Sequence, residues 1–547
     1  MSESQLASRS GTSAKVFARE STGLVREVSA LNAIVLGASS VALGQFFIFG
    51  VPFAFGLFAA RDSSVFYAAI LICIVFTAAT QFNYATLTTA MPRSGGDYVF
   101  VTRLVNPALG FAGNFTLAAW QVFAAGAFAV LTVGAVVSPL LTILGSLTGS
   151  ATLADWATTV TSRGWTLTIA IGMILVVTVL LSLGTQLALR VNTVLWMTGM
   201  FSLLLMLCIF LFTSRSEFMA KYDAFTGETG AYDKAIQAAS DAGFAERDSL
   251  LMLWPVVAIV MGVFGVMFWY TYLGGEIRGA RSYRREMWMA MIPLFVVAIP
   301  LTLLIIVILR TIGYEFLSAI AYLSFVDPAA LPGPAAAGPI AFVTGLSAGN
   351  DFLATLFIIT FAAWIFVLLL ALLIMPIRCA LAWSLDQLFP RSLTVVSRRF
   401  HTPVRLSVLI AAIAIAVAVW ATYSERVFQL FATAVLASLF FSAGMGALAA
   451  AFFPWRMREL YEQLPASRYK VLGVPLLAIT GVVSLLFTAA YLGSYGWFSA
   501  EFGITLGLTA SVFSPFVIGF IIYYGARAYR RSQGIPMELA FRQLPPE

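Results

Sequence analysis

What most constrains this chain is a recurrence of long apolar stretches that hold no Asp, Glu, Lys or Arg. They fall at residues 28–59, 63–91, 107–142, 164–189, 191–213, 249–275, 287–309, 352–377, 406–423, 427–453, 471–492 and 503–526, numbered here as spans 1 to 12. A helix that crosses the hydrocarbon core needs about 20 predominantly apolar residues, and these stretches satisfy that one after another. Strands of a membrane barrel are shorter and alternate in polarity, which argues against a barrel. A soluble reading fails on composition, because only 10% of the residues are charged and 60% are hydrophobic. Soluble domains carry roughly 25% charged residues. The pattern predicts an all-α polytopic membrane protein with about twelve transmembrane helices.

The 32 basic residues outnumber the 25 acidic ones, but their placement speaks for orientation and against nucleic acid. With twelve spans and an inner N-terminus, 24 of them fall on inner segments, in clusters such as Arg278/Arg281/Arg284/Arg285, Arg398/Arg399/Arg405 and Arg527/Arg530/Arg531. The outer eight are Arg61, Arg163, Arg215, Lys221, Lys234, Arg247, Arg310 and Arg426. Basic residues accumulate on cytoplasmic loops, so a multi-pass protein of the plasma membrane with both termini cytoplasmic is expected. The first 27 residues lack the apolar core of a signal peptide and read as a cytoplasmic tail.

Cys73, Cys208 and Cys379 form no paired framework, and the single His401 lies in an inner loop. No cluster of His, Cys, Asp and Glu suggests a metal, and the apolar spans offer no acid or base for hydrolysis. Neither an enzyme, a cofactor, a metal nor a nucleic-acid partner is expected. The expected partners are the lipid bilayer and a small molecule.

The organisation follows from the spans. Residues 1–27 form the N-terminal tail and 28–213 a first set of five helices; 214–250 is an outer loop with seven acids against four bases. Residues 251–453 form a second set of five, including an outer loop at 312–350 that is rich in Pro, Ala and Gly. Two terminal helices occupy 454–526 and a C-terminal tail 527–547. The long outer loops read as solvated connectors, or, for 312–350, as an external lid. Five is odd, so the second set starts from the opposite face and any repeat is inverted. Span 1 carries Gly37-Ala38-Ser39-Ser40 and span 6 carries Gly262-Val263-Phe264-Gly265. Interruptions there free backbone groups at midplane, which is tolerable where they line a cavity. The same glycines also read as close-packing positions.

Three loop motifs go further. After span 2 comes Met91-Pro92-Arg93-Ser94-Gly95-Gly96-Asp97-Tyr98, then Arg103 and Gly110-Phe111. After span 6 comes Gly275-Glu276-Ile277-Arg278. After span 8 come Arg378, Asp386-Gln387-Leu388-Phe389-Pro390 and Arg399-Phe400-His401-Thr402-Pro403. The set resembles the amino acid–polyamine–organocation permeases over about residues 28–530, with Gln387 where that family usually has Gly. The second motif departs more, having Gly279-Ala280 where the family has Asn-Pro.

The resemblance implies a leucine-transporter-type fold, a 5+5 inverted repeat plus two C-terminal helices. It also implies a substrate site between a bundle of spans 1, 2, 6 and 7 and a scaffold. By that analogy the substrate-binding positions are Gly37, Ala38, Ser39, Ser40, Gly262, Val263, Phe264 and Gly265. A possible inner gate is formed by Arg93, Tyr98, Glu276, Arg278 and Asp386.

The spans as drawn hold no Asp, Glu, Lys, Arg or His, and buried charges in membranes mark function. A substrate with a charged side chain is therefore disfavoured, and a small neutral amino acid carried by alternating access is expected. The rivals are a permease for another small amine or nucleobase-like solute and a non-transporting sensor of the same fold. Phe268, Trp269 and Tyr270 read as pocket walls or as packing. Asn83, Tyr84, Asn114 and Gln121 read as cavity-lining groups or as interhelical partners. The coupling ion stays open: Gly199 falls where some proton-linked relatives have Lys, and Thr360 is the hydroxyl nearest the middle of span 8. Exchange or facilitated diffusion is the reading this favours, with Glu276 as an alternative proton carrier.

Overall fold

The computed structural model describes residues 24–40, 43–57, 63–331, 342–343, 346, 350–424, 426–501, 506–535, 537 and 541. Expectations for most of the N-terminal tail, for Arg61, for Pro332-Gly333-Pro334 and for the end of the C-terminal tail fall outside these residues.

The apolar stretches fold as helices because a backbone in hydrocarbon must satisfy its hydrogen bonds within its own segment. Among the described residues ten helices are long and apolar enough to cross a membrane: Ala30–Ile48, Ser64–Ala90, Pro107–Thr142, Arg163–Leu183, Thr185–Leu211, Leu250–Tyr272, Tyr283–Ile312, Phe352–Leu385, Val404–Tyr423 and Leu506–Ser532. They correspond to spans 1 to 9 and 12. Spans 10 and 11 lie on helices Arg426–Arg456 and Leu476–Glu501. The protein is an all-α polytopic membrane protein. Its one sheet among the described residues is a hairpin of two-residue strands, Lys470–Val471 with Val474–Pro475.

Local chemistry sets several helix starts. Asn106 accepts from the backbone N–H groups of Ala108 and Leu109 while Pro107 occupies the first helical position of span 3. Asp248 does the same for Leu250 and Leu251 at the start of span 6.

Several spans run beyond their apolar stretches, and in two of them this corrects one expectation. Span 7 begins at Tyr283 and span 8 continues to Leu385, so buried Glu286 and Arg378 lie within helices. An apolar stretch ends at the first charge, but the helix does not if the charge finds a partner. Tyr270 OH lies 3.4 Å from Glu286 Oε2, and Arg378 pairs with Glu276.

Packing divides the spans into groups. Span 2 lies against spans 6 and 7, and span 1 against span 7 and the end of span 6. Spans 3, 4, 8 and 9 form a second mutually packed set. Outside the bundle the acidic loop is folded, as helices Arg215–Thr226 and Ala231–Asp241. The second of these packs on helix Tyr314–Val326, which follows span 7.

Candidate functional site

Span 6 departs from α-helical geometry part-way along, and its turn lies against span 1 at Ser40. Span 1 is α-helical over Ala30–Ser39 and carries π-helical turns at Phe46–Gly50 and Phe53–Leu57. Span 6 is α-helical over Ser249–Phe264, turns at Gly265–Val266, and continues as the 3-10 helix Met267–Tyr272. Side-chain groups bond to the backbone and to each other around this turn. Ser40 Oγ lies 2.8 Å from Gly37 O and 2.9 Å from Val266 O, which ties the two spans together. Thr77 Oγ1 of span 2 donates to Phe264 O at 3.4 Å, and Asn192 Nδ2 of span 5 donates to Ser39 Oγ at 3.0 Å. Gly37 is required by the close approach: a Cβ there would lie 2.8 Å from Met267 O.

At the end of the bundle that carries the basic clusters, the loops interlock beneath this junction. Gly95 and Gly96 have φ of +111° and +54°, values that only glycine adopts readily. Their turn lets Gly95 N donate to Tyr272 O at 3.1 Å and brings Gly96 against the Tyr272 ring. Asp97, at the start of the short helix Asp97–Leu104, then accepts from Tyr272 OH at 2.6 Å and from Asn114 Nδ2 at 2.7 Å. Asn114 Oδ1 in turn accepts from Trp383 Nε1 of span 8 at 2.8 Å. Two of these three bonds join elements far apart in sequence, and the Asn114–Asp97 bond joins consecutive helices.

Two buried ion pairs flank this chain of bonds. Asp386 Oδ2 accepts from Arg103 Nη2 at 2.7 Å and from Tyr98 OH at 2.8 Å. Phe541 and Tyr98 present their rings to the Arg103 guanidinium, 5.3 and 5.6 Å from the centroids. Arg378 donates to both oxygens of Glu276, at 2.6 and 3.0 Å, and to Thr185 Oγ1 at 2.6 Å. Burial, with the Asp386 carboxylate next, pushes the Tyr98 phenol well above its ordinary range, so it remains a donor. Asp97 has no cation beside it. Burial pushes its carboxyl up to about 7, against the lowering effect of the Tyr272 and Asn114 bonds.

A family model described as amino acid permease matches residues 28–529. The chain belongs to the amino acid permease family. Among curated proteins, none matches it.

In this permease the eight positions assigned to substrate lie along the junction of spans 1 and 6, and none is ionisable. Ala38, Ser39, Ser40, Val263 and Phe264 are buried. Gly262 is half-buried and faces open space where a Cβ would stand. A shallow cleft opens beside Gly265, lined by Phe76, Met261, Ala443, Phe487, Thr488 and Tyr491. Of the eight positions, Gly265 alone borders it.

Of the five gate positions, the structure brings Tyr98 and Asp386 together and sets Glu276 against Arg378, not Arg278. Arg278 is exposed and its Nε donates to Arg26 O at 3.2 Å. Its backbone joins Val28 in a bridge that pins the start of span 1 to the loop after span 6. Arg93 is half-buried, and its Nη1 lies 3.2 Å from Pro92 O. The aromatics after the span 6 turn are packed: Phe268 stacks on Tyr84 at 3.9 Å. Asn83 bonds Ser484 and Thr480 of span 11, an interhelical role.

The places of both coupling devices weighed in the sequence are filled. The Trp364 ring lies between Gly199 and Gly44, close enough that a Cβ on either would run into it. Thr360 Oγ1 donates within its own helix, to Leu356 O at 2.7 Å. Sequence reasoning passed over Asp97 and Arg103 as functional residues, although both stand inside the first motif.

Proposed function

We propose that this permease is a secondary transporter of small neutral amino acids that works by alternating access, with the ligand at the junction of spans 1 and 6. The observation that carries the reading is the Ser40 hydroxyl of span 1 lying 2.9 Å from Val266 O in the turn of span 6. The Ser39 and Ser40 hydroxyls and the backbone at the span 6 turn supply neutral polar groups for an ammonium and a carboxylate, while the absence of ionisable groups among the eight positions suits an uncharged side chain. The grouping of spans 1, 2, 6 and 7 apart from 3, 4, 8 and 9 supports an internal repeat, since each span n falls with span n+5. It also supplies two bodies that can rock against each other. The basic loops, on the positive-inside pattern, support a cytoplasmic position for the interlocked end.

The test is counterflow in proteoliposomes, loaded with unlabelled neutral amino acids and supplied with the same mixture in labelled form. Transient accumulation of label is expected, with none from charged amino acids. A Cβ at Gly262 meets no neighbour, so Gly262→Leu should fold normally and abolish counterflow. Undiminished counterflow in folded Gly262→Leu would overturn the site. Silence of the wild-type protein with every neutral mixture would overturn the substrate class.

A further inference from the structure

We propose that Asp97 is a proton-operated latch for the basic end of the bundle: it binds one proton when that end is closed and returns it to water on the same side when the end opens. The inference rests on the alternating-access reading, but its central test needs no substrate.

Three acidic side chains are buried where the loops after spans 2, 6 and 8 interlock. Glu276 and Asp386 each face an arginine, Arg378 and Arg103. Asp97 is as deeply buried, 1% exposed, and differs from both. The groups that face it are Tyr272 from the end of span 6, Asn114 from span 3, Cys379 from span 8 and the backbone amides of Asp97 and Tyr98. None is cationic. The Tyr98 hydroxyl on the same short helix serves Asp386 instead. Both donated side-chain bonds fall on Oδ1, and Oδ2 has no hydrogen-bond partner. A carboxylate buried in this way lacks the compensation its charge requires. A proton on Oδ2 removes the charge and leaves Oδ1 free to accept from Tyr272 and Asn114.

The position makes that proton consequential. Tyr272 belongs to the group of spans 1, 2, 6 and 7, whereas Asn114 and Trp383 belong to the group of spans 3, 4, 8 and 9. Asp97 therefore joins the two bodies whose separation opens this end. Opening admits water, which solvates the carboxylate, so the proton leaves to that water; closing takes one back. With the carboxyl near 7 when buried and near its ordinary value when hydrated, opening becomes about tenfold more favourable per pH unit from about pH 4 to about pH 7, and levels off above.

Cys379 supplies the reporter, being a buried free thiol beside Asn114 and Asp97. In the full chain with Cys73→Ser and Cys208→Ser, maleimide labelling of Cys379 reads how often this end opens. Dividing the rate by that of the same protein carrying Asp97→Asn cancels the thiol's own pH dependence. The ratio is expected to climb steeply between pH 5 and about 7 and then flatten. A ratio that stays level across that range overturns the proposal, as does loss of the climb in Glu286→Gln with Asp97 intact. Tyr272→Phe removes a bond that favours the ionised form, so the plateau moves to higher pH; this variant carries the test if Asp97→Asn does not fold. Counterflow reports separately on the substrate reading, so that reading can fail while the labelling result stands.

Discussion

At the basic end, the loops after spans 2, 6 and 8 are joined by buried charges and directed hydrogen bonds; at the opposite end, the segments after spans 5 and 7 are joined chiefly by rings. There Phe218, Tyr222, Tyr232, Phe316 and Phe342 cluster, with Tyr232 and Phe316 stacked 4.3 Å apart and Phe218 edge-on to Phe342 at 5.6 Å. Bonds to backbone carbonyls support the rings, from Tyr232 OH to Ile312 O at 2.9 Å and from Arg310 and Thr311 to the end of span 5. The contrast teaches how each closure responds. Apolar packing is non-directional and tolerates small displacements. A buried ion pair or a carboxyl without a counter-charge has two discrete states, paired or solvated, and is strongly penalised in between. The basic end is thus the part of the molecule that protons and single charge changes can throw from one state to the other.

The largest effect is expected from Glu276→Ala. Among the described residues it leaves buried Arg378 of span 8 with Thr185 as its remaining partner, a change that costs toward the upper end of about 3–5 kcal/mol. Thermal unfolding in detergent should show it, and Glu276→Ala combined with Arg378→Met should recover much of the loss. If the single variant is as stable as wild type, the ion pair is not what holds this end.

Next comes the pH dependence from Asp97. Its carboxyl lies at about 7 in the folded protein against an ordinary 3.8, so between those values the folded state holds more protons than the unfolded one. Stability attributable to this group is fully present below about pH 4 and is lost as the pH rises through about 7, reaching a penalty of roughly 4 kcal/mol. Asp97→Asn should therefore gain on wild type as pH rises across this window and track it above. Parallel stability curves for the two proteins would remove the electrostatic distinction between the ends.

At the ring-closed end, Phe316→Ala should cost about 3 kcal/mol through lost burial and the cavity left behind, with little change between pH 5 and 8. A pH-dependent loss there would blur the comparison.

How much of this could be read from the sequence follows the same division. The spans were readable because burial in lipid demands uninterrupted apolar length, and the loop motifs were readable because glycines and charges occupy fixed spacings. The partners were not. Glu276 stands two residues from Arg278 but bonds Arg378, which is 102 residues away, and no local spacing encodes that. Glu286 and Arg378 were placed outside the spans because an apolar run stops at a charge, whereas a helix need not. Asp97 sits in a readable motif, yet its significance lies in the lack of a facing cation, a property of three converging elements. The ring cluster of the opposite end was hidden for a different reason: aromatics are common throughout this chain, and nothing in their order marks those that meet.

The smallest expected effect tests a departure noted in the third motif. Gln387 stands where the family usually has Gly, and its φ is +65°, a left-handed conformation that side chains adopt at a cost. The turn is held in place by its neighbours: Gln387 N donates to Ser384 O at 3.0 Å, and Arg530 Nε donates to Gln387 O at 3.0 Å. Both bonds use the backbone and survive a change of side chain. Gln387→Gly should therefore relieve strain without releasing the loop that carries Asp386, and stabilise the protein by about 1 kcal/mol. A modest rise in melting temperature with unchanged counterflow is the expected result. Destabilisation instead would mean that the Gln387 side chain contributes more to closing the basic end than its backbone conformation costs, and would add an uncharged group to the set of contacts that hold it.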